Sequence, residues 1–194
     1  MKNILSRAFV ATSLSVLVLA GPVLDAAAQS TAQSTESTAR GSGFTMILSM
    51  GVGLQNDAAY EQSEVGLAGL NLGLGAFLSD NIALLFRVSG TSVKYTFEDA
   101  GFVEEFTINQ TSGMAGPAIQ YWANERLNLE GGIGYGFWSS DGLTEEGLGL
   151  LLGMAYVFAQ TGNSNFQVGV EFAPAFTDPD AVYNVGVVFG WQLR

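Results

Sequence analysis

Residues 182–194 carry the pattern that decides the fold, and they read V-Y-N-V-G-V-V-F-G-W-Q-L-R. Apolar side chains fall on every second position of this stretch, namely Tyr183, Val185, Val187, Phe189, Trp191 and Leu193. Small or polar residues fill most of the positions between them. Successive side chains of a β-strand point to opposite faces, so a period of two is typical of a strand. The stretch is therefore predicted to be a strand with one apolar face that ends in aromatic residues.

Seven earlier segments repeat this period, so residues 43–194 are predicted to form about eight strands. One of these segments is predicted to carry on a single face Ala68, Leu70, Leu72, Leu74, Ala76 and Leu78. Short turns, such as the one at Asp80 and Asn81, alternate with longer acidic connections, such as residues 139–146. Strands that are joined by short turns are expected to pair antiparallel.

The composition restricts the class of protein. The chain has 194 residues and a net charge of −11, and it contains no cysteine and no histidine. Disulfides and thiolate metal sites are therefore excluded, and the commonest metal ligand and general base is missing. The acidic balance argues against a nucleic-acid partner.

A membrane location follows from the distribution of the apolar residues. Residues 29–194 contain no run of about 20 apolar residues, so a spanning helix is not expected. An apolar chain without such a helix can cross a membrane only as a closed barrel. A soluble barrel such as a lipocalin needs a charged outer wall, whereas the second face here is mostly Gly, Ala, Ser and Asn. The predicted fold class is all-β, a single antiparallel transmembrane β-barrel with short periplasmic turns and longer acidic outer loops.

One hairpin breaks the alternation. Its apolar positions change phase past Gly90 and again around Gly113. Either β-bulges lie near these two glycines, or the hairpin rises above the membrane, where neither face needs to be apolar. The sequence leaves both interpretations open.

The N-terminal part of the chain is predicted to lie outside the barrel. Residues 1–28 read as a secretory signal peptide with basic Lys2 and Arg7, an apolar run over residues 8–20, and an A-x-A cleavage site before Gln29. Residues 29–42 are rich in Ser, Thr and Gln and are predicted to be a disordered tail. Residues 43–194 form the predicted barrel domain, which would reach the cell outer membrane after export.

The turn L-S-D-N-I-A-L at residues 78–84 and the last strand resemble small outer-membrane β-barrel proteins of Gram-negative bacteria, the OmpA- and OmpX-like group. The resemblance covers residues 43–194. It implies a monomer that contacts outer-membrane lipid and lipopolysaccharide and is inserted by the outer-membrane assembly machinery. Family members usually end on an aromatic residue, whereas Leu193 and Arg194 follow Trp191 here. Deleting these two residues is expected to leave folding intact or to improve it.

Three charged residues are predicted to face the lumen, because each lies between outward-facing neighbours: Arg87, Glu130 and Glu171. An Arg that faced lipid would cost roughly 2–4 kcal/mol. The three lie at similar heights above their turns, so Arg87 is expected to reach one or both acids. Two interpretations remain open, namely that these charges plug the lumen or that they gate small ions.

The predicted interface anchors are aromatic: Phe44, Tyr121, Trp122, Phe158, Phe189 and Trp191. No catalytic residue, cofactor or metal site is predicted. The lipid-modifying barrels that the resemblance brings to mind use a serine with a histidine base, and this chain has no histidine. The acidic loops form either a solvated rim or a site for divalent cations that bridge to lipopolysaccharide phosphates.

The expected function is a structural or surface-interaction role in the cell envelope. The alternative is a narrow channel or carrier for small solutes that is gated by a lumen ion-pair network. A lipid-modifying enzyme is the least favoured. A lumen filled by side chains would favour the first, and a continuous water path the second.

Overall fold

The computed structural model describes residues 43–57, 62–98, 105–177 and 180–194. These residues form nine β-strands: β1 (Phe44–Asp57), β2 (Gln62–Ser79), β3 (Ile82–Glu98), β4 (Glu105–Trp122), β5 (Leu127–Ser140), β6 (Leu143–Thr161), β7 (Ser164–Phe172), β8 (Ala175–Thr177) and β9 (Ala181–Leu193). No helix among the described residues is long and apolar enough to cross a membrane. The predicted signal peptide and tail, residues 1–42, lie outside the described part of the chain.

The strands close into a ring. Each strand pairs antiparallel with its neighbour, and β1 pairs with β9, so that Met46 lies opposite Leu193. A closed sheet satisfies its backbone polar groups without leaving an edge. Short turns at Asp80, Asn124 and Gly162 lie at the same end of the ring as Phe44 and Leu193, and we call this the lower end.

The elements β7 and β8 are one strand with an interruption at Pro174. Their pairing registers with β6 and with β9 are the same on both sides of this interruption, and the one register shift in these ladders lies lower, between Val157 and Ala159 of β6. Proline has no N–H to donate to a ladder, which explains the gap. Its carbonyl still accepts from the backbone N–H of Leu150 at 3.0 Å, and the N–H of Ala173 donates to the carbonyl of Asn184 at 2.9 Å. The predicted antiparallel barrel of eight strands is therefore confirmed.

A β-bulge in β2 corrects the predicted outer face of that strand. The registers with β1 and β3 both shift between Ala68 and Leu72, so one additional residue lies near Gly69 and Leu70. One inserted residue turns the following side chains to the other face. Ala68 is consequently buried inside the ring while Leu70 is exposed outside it, although the alternation had predicted both on one face.

The phase change in the β3–β4 hairpin does not come from bulges in their ladder. The register runs unbroken from Ile82 opposite Tyr121 to Glu98 opposite Glu105, so the bulge interpretation is wrong for this ladder. Instead, apolar Val93 is buried inside and the cationic Lys94 is exposed outside.

These strands are also longer than a membrane requires. β3 has 17 residues, β4 has 18 and β6 has 19. A transmembrane strand needs only about 9–11 residues. Their upper ends therefore extend beyond the height of a bilayer, which agrees with the second interpretation of the phase change.

The predicted acidic loop over residues 139–146 is wrong. A two-residue turn joins β5 to β6, with φ of 42° at Asp141 and 90° at Gly142, and Ser140 pairs with Leu143. Asp-Gly is a favoured sequence for a hairpin turn that needs positive φ at both central residues. Glu145 and Glu146 therefore lie in the β6 ladder rather than in a loop.

Candidate functional site

The candidate site is the lumen, because polar side chains are buried there at three heights. The lower layer consists of Thr45, Gln120, Asn128, Gln167 and Gln192. The ion-pair cluster above it consists of Asn71, Arg87, Ser89, Glu130 and Glu171. The upper layer consists of Gln55, Gln110, Ser112 and Asn184. Apolar side chains are also buried inside the ring, among them Ile47, Phe77, Leu85, Met114 and Leu151.

Arg87 joins the two predicted acids. Its Nε lies 2.6 Å from Oε1 of Glu130, and its Nη2 lies 2.7 Å from Oε1 of Glu171. The Arg87 side chain is 1% exposed, and those of the acids are 8% and 13% exposed. The structure thus brings together all three charged residues that the sequence placed in the lumen, although they come from β3, β5 and β7.

Gly73 makes room for the guanidinium. It lies opposite Arg87 on β2, and a Cβ atom built on it would be 2.8 Å from Arg87 Cδ. Carbon atoms in contact are normally about 3.5–4.0 Å apart. A side chain at this position would therefore displace Arg87, which is a physical reason for glycine here.

The two acids have unequal surroundings. Glu171 Oε2 accepts hydrogen bonds from Asn71 Nδ2 and from Ser89 Oγ, both at 2.8 Å. Glu130 Oε1 is close to Arg87 Nε, but the N–H does not point at it, so this contact is an ion pair without a directed hydrogen bond. The sequence analysis did not identify Asn71 and Ser89 as members of this cluster. The only feature that could have indicated them is that both lie on the strand face made of small and polar residues.

The β2 bulge positions Asn71. The additional residue interrupts the β2–β3 ladder, and the N–H of Gly90 donates instead to Asn71 Oδ1 at 3.2 Å. The amide of Asn71 is thereby held with its Nδ2 toward Glu171. An irregularity in the wall thus supports the ion-pair cluster.

A cavity of about 20 Å³ lies below the cluster, lined in part by Ser49, Arg87, Glu130 and Gly190. This is enough for about one water molecule. The buried hydroxyl of Ser49 has no hydrogen-bond partner among the described protein atoms. No group of three or more acidic side chains in the described ranges could hold a metal ion.

The lower layer is a chain of amide hydrogen bonds that crosses the lumen. Gln192 Nε2 donates to Thr45 Oγ1 at 3.1 Å and to Gln120 Oε1 at 2.8 Å. Gln120 Nε2 donates to Asn128 Oδ1 at 3.3 Å, and Asn128 Nδ2 donates to Gln167 Oε1 at 3.1 Å. The layer thus ties β1, β9, β4, β5 and β7 together at the lower end.

The upper layer is built in the same way. Gln55 Nε2 donates to Gln110 Oε1 at 2.9 Å, and Ser112 Oγ donates to Gln55 Oε1 at 2.9 Å. Asn184 Nδ2 donates to Ser112 Oγ at 2.9 Å and to the carbonyl of Ala173 at 3.0 Å. Both layers consist of neutral groups, so they cross the lumen without adding buried charge.

Trp122 corrects one of the predicted interface anchors. Its side chain is 1% exposed and lies inside the ring, where Nε1 donates to Gln120 Oε1 at 2.9 Å. Its neighbour Tyr121 faces outward, and adjacent side chains of a strand cannot share a face. The guanidinium of Arg194 lies 5.6 Å from the centre of the indole ring, within cation–π range.

The remaining predicted anchors lie on the outer face. Phe44, Tyr121, Phe158 and Phe189 are exposed, and Trp191 is partly exposed. Phe44 begins β1, and Tyr121 and Trp191 lie near the ends of their strands at the lower end. This placement suits an aromatic girdle, whose anchoring role stays a prediction.

No protein-family model matches the chain, and no curated protein matches it. The attachment invasion locus protein Ail of Yersinia pestis is similar in structure, with 17% identity over 77% of this chain and 99% of that chain, at a TM-score of 0.51. Neisserial surface protein A is similar with 17% identity over 79% of this chain and 98% of that chain, also at 0.51. At such identities the likeness concerns the fold alone. The chain has the fold of the small outer-membrane β-barrel proteins.

Proposed function

We propose that the protein is an outer-membrane β-barrel with a structural or surface-interaction role in the cell envelope, and that its lumen is closed to ions. This proposal rests on the three sets of polar side chains that lie one above another in the lumen. The lower layer, the ion-pair cluster and the upper layer each join side chains across the lumen. In a barrel of eight strands, side chains are enough to fill the interior.

The outer face supports a membrane location. Met50, Leu70 and Phe189 are each more than half exposed, and many other large apolar side chains of the described strands are exposed with them. Exposed apolar surface of this extent marks contact with a membrane or a partner. Arg87, which would be costly in lipid, is turned into the lumen. In this arrangement the lower end faces the periplasm.

Two measurements test the proposal on the same preparation. The protein should fractionate with outer membranes and run faster on detergent gels when it is not boiled. In planar bilayers the wild type should show no steady conductance. Recovery as a soluble protein would contradict the membrane location, and steady single-channel steps would contradict the closed lumen.

A narrow channel is the second candidate, and the cavity beside Arg87 and Glu130 is the observation that favours it. Rearrangement of the ion pairs around this space would be needed to open a path. An enzyme has the least support, because the chain contains neither histidine nor cysteine.

The charge of the chain restricts the surface partner. The structure of the Yersinia protein was obtained with sucrose octasulfate, a heparin analogue. A polyanion of this kind needs cationic contacts, whereas this chain has 7 basic and 18 acidic residues. We infer that a surface partner of this protein is neutral or cationic rather than a sulfated polymer.

A further inference from the structure

The outer wall carries a groove of about 370 Å³ near the lower end. Its lining is aromatic and apolar and includes Leu48, Met50, Phe158, Phe166, Phe189 and Trp191. The groove is shallow and open along one side, so it suits an extended apolar chain that lies along the wall rather than an enclosed small molecule. The lining residues come from β1, β2, β6, β7 and β9, so the groove lies across the seam where β1 pairs with β9.

A cation lies on the β6 side of this groove, where it is hydrogen-bonded to Tyr156 and Val157, the two residues before the lining residue Phe158. Arg126 is exposed, and its Nη1 donates to the hydroxyl of Tyr156 at 3.3 Å. Its carbonyl accepts from the N–H of Val157 at 2.7 Å, and its own N–H donates to Asn124 Oδ1 at 2.8 Å, so the turn is fixed against β6. Tyr156 and the groove residue Phe158 are two positions apart on β6, about 7 Å along the strand.

The charge of Arg126 has no ion-pair partner in the part of the chain that the structure describes, because no acidic side chain there lies within ion-pair distance of its guanidinium. Arg87 and Arg194 are directed into the lumen, and Lys94 lies on the upper part of β3. Arg126 is therefore the described cation that stands beside the groove.

We propose that this surface binds one glycerophospholipid of the periplasmic leaflet. The phosphate contacts the guanidinium of Arg126 and the hydroxyl of Tyr156, and an acyl chain lies in the aromatic groove. A guanidinium forms strong charge-assisted hydrogen bonds with phosphate oxygens. The inference rests on the proposed function, because it requires the lower end to stand at the inner surface of the outer membrane.

The experiment uses the full chain folded in detergent micelles, with phosphatidylglycerol as the probe and native mass spectrometry as the measurement. We expect the wild type to retain one lipid. Arg126→Gln should raise the apparent dissociation constant about fivefold, as for one interfacial cation. Lys94→Gln, the matched control at the opposite end, should leave it unchanged. Phe158→Ser should also weaken retention, whereas inorganic phosphate alone should not be retained.

Equal lipid retention by wild type and Arg126→Gln would overturn the inference, and so would equal weakening by Lys94→Gln. Retention of inorganic phosphate as strong as that of the lipid would overturn the role of the groove. The shift between boiled and unboiled gel bands is recorded first for every variant. A variant that keeps this shift has kept the barrel, so loss of the site and failure of the proposed function are distinguished.

Discussion

At the scale of residues, Glu171 and Glu130 share one arginine but are not equivalent. Glu171 accepts from Arg87, Asn71 and Ser89, whereas among the described residues Glu130 contacts Arg87 alone. The cluster holds two carboxylates for one guanidinium. Neutralising either carboxylate therefore leaves one carboxylate paired with Arg87. The two substitutions differ in how many neighbouring polar groups lose a hydrogen-bond partner.

We expect Glu171→Gln to destabilise the barrel more than Glu130→Gln. The amide of a glutamine would direct N–H groups at Asn71 Nδ2 or Ser89 Oγ, and an unsatisfied buried polar group costs about 1–3 kcal/mol. Glu130→Gln should stay within about 1 kcal/mol of wild type, because Arg87 keeps Glu171. Arg87→Ala should cost about 3–5 kcal/mol, since both acids lose their counter-ion. Urea unfolding in detergent measures all three, and the reverse order of the two glutamates would contradict the assignment.

The positions of the charged residues were predictable because alternation and the cost of charge in lipid both place them inside. Arg87, Glu130 and Glu171 each lie between outward-facing apolar neighbours. The additional residues near the lower turns lie on the partner strands β2 and β6, so the count along β3, β5 and β7 stays regular. Asn71 was not predicted as part of the cluster, because its position depends on the β2 bulge. The alternation of residues along a strand does not reveal this bulge. Trp122 was wrongly predicted to face the membrane because it is aromatic. Its position directly after the outward-facing Tyr121 places its side chain inside the barrel.

At the scale of elements, the turn between β5 and β6 depends on Asp141 and Gly142. Gly142 has a φ of 90°, which residues with a Cβ atom rarely adopt. We expect Gly142→Ala to lower the free energy of unfolding by about 1–2 kcal/mol. Asp141→Asn, the control, should be close to neutral because Asn tolerates positive φ. Urea midpoints of the two variants measure the effect, and an equal loss in both would argue against a strained turn.

Strand identity was predictable from the period of two, whereas strand ends and irregularities were not. Acidic residues suggested a loop at residues 139–146, although the Asp-Gly pair within it is a hairpin signal that allows the ladder to continue. The β2 bulge lies between Ala68 and Leu72, both small or apolar like their neighbours, so the alternation appeared continuous across it. The alternation of apolar and small residues cannot show where a bulge inserts a residue when both faces of the strand accept the same residue types.

At the scale of the whole molecule, the last two residues join β9 to neighbouring parts of the ring. Leu193 lies opposite Met46 and Ser164, and its carbonyl accepts from Thr45 Oγ1 at 2.7 Å. The N–H of Arg194 donates to the carbonyl of Asn163 at 2.8 Å, and its guanidinium contacts Asn165. The Leu193 contacts join β9 to β1 at the lower end, and the Arg194 contacts join the chain end to Asn163 and Asn165. These contacts speak against the sequence-based expectation that both residues are dispensable, which a deletion would test.

We expect deletion of Leu193 and Arg194 to lower the free energy of unfolding by about 2–3 kcal/mol, since each net hydrogen bond contributes about 1 kcal/mol. Arg194→Ala keeps the backbone contact and should lose about 1 kcal/mol, mainly from the contact with the Trp122 ring. Thermal loss of the fast-running unboiled gel band measures both variants. An unchanged transition in the deletion variant would restore the expectation drawn from the family resemblance.

The height of the wall has an electrostatic consequence for a protein with a net charge of −11. β3 ends at Glu98, opposite Glu105, and its 17 residues exceed by about 7 the number that crosses a bilayer. At about 3.3 Å per residue and a tilt of about 45°, this excess places the strand ends roughly 15 Å beyond the hydrocarbon. The Debye length in physiological salt is about 8 Å. Charge at this height is thus screened from the lipid phosphates below it, and an acidic protein can occupy an anionic leaflet without strong mutual repulsion.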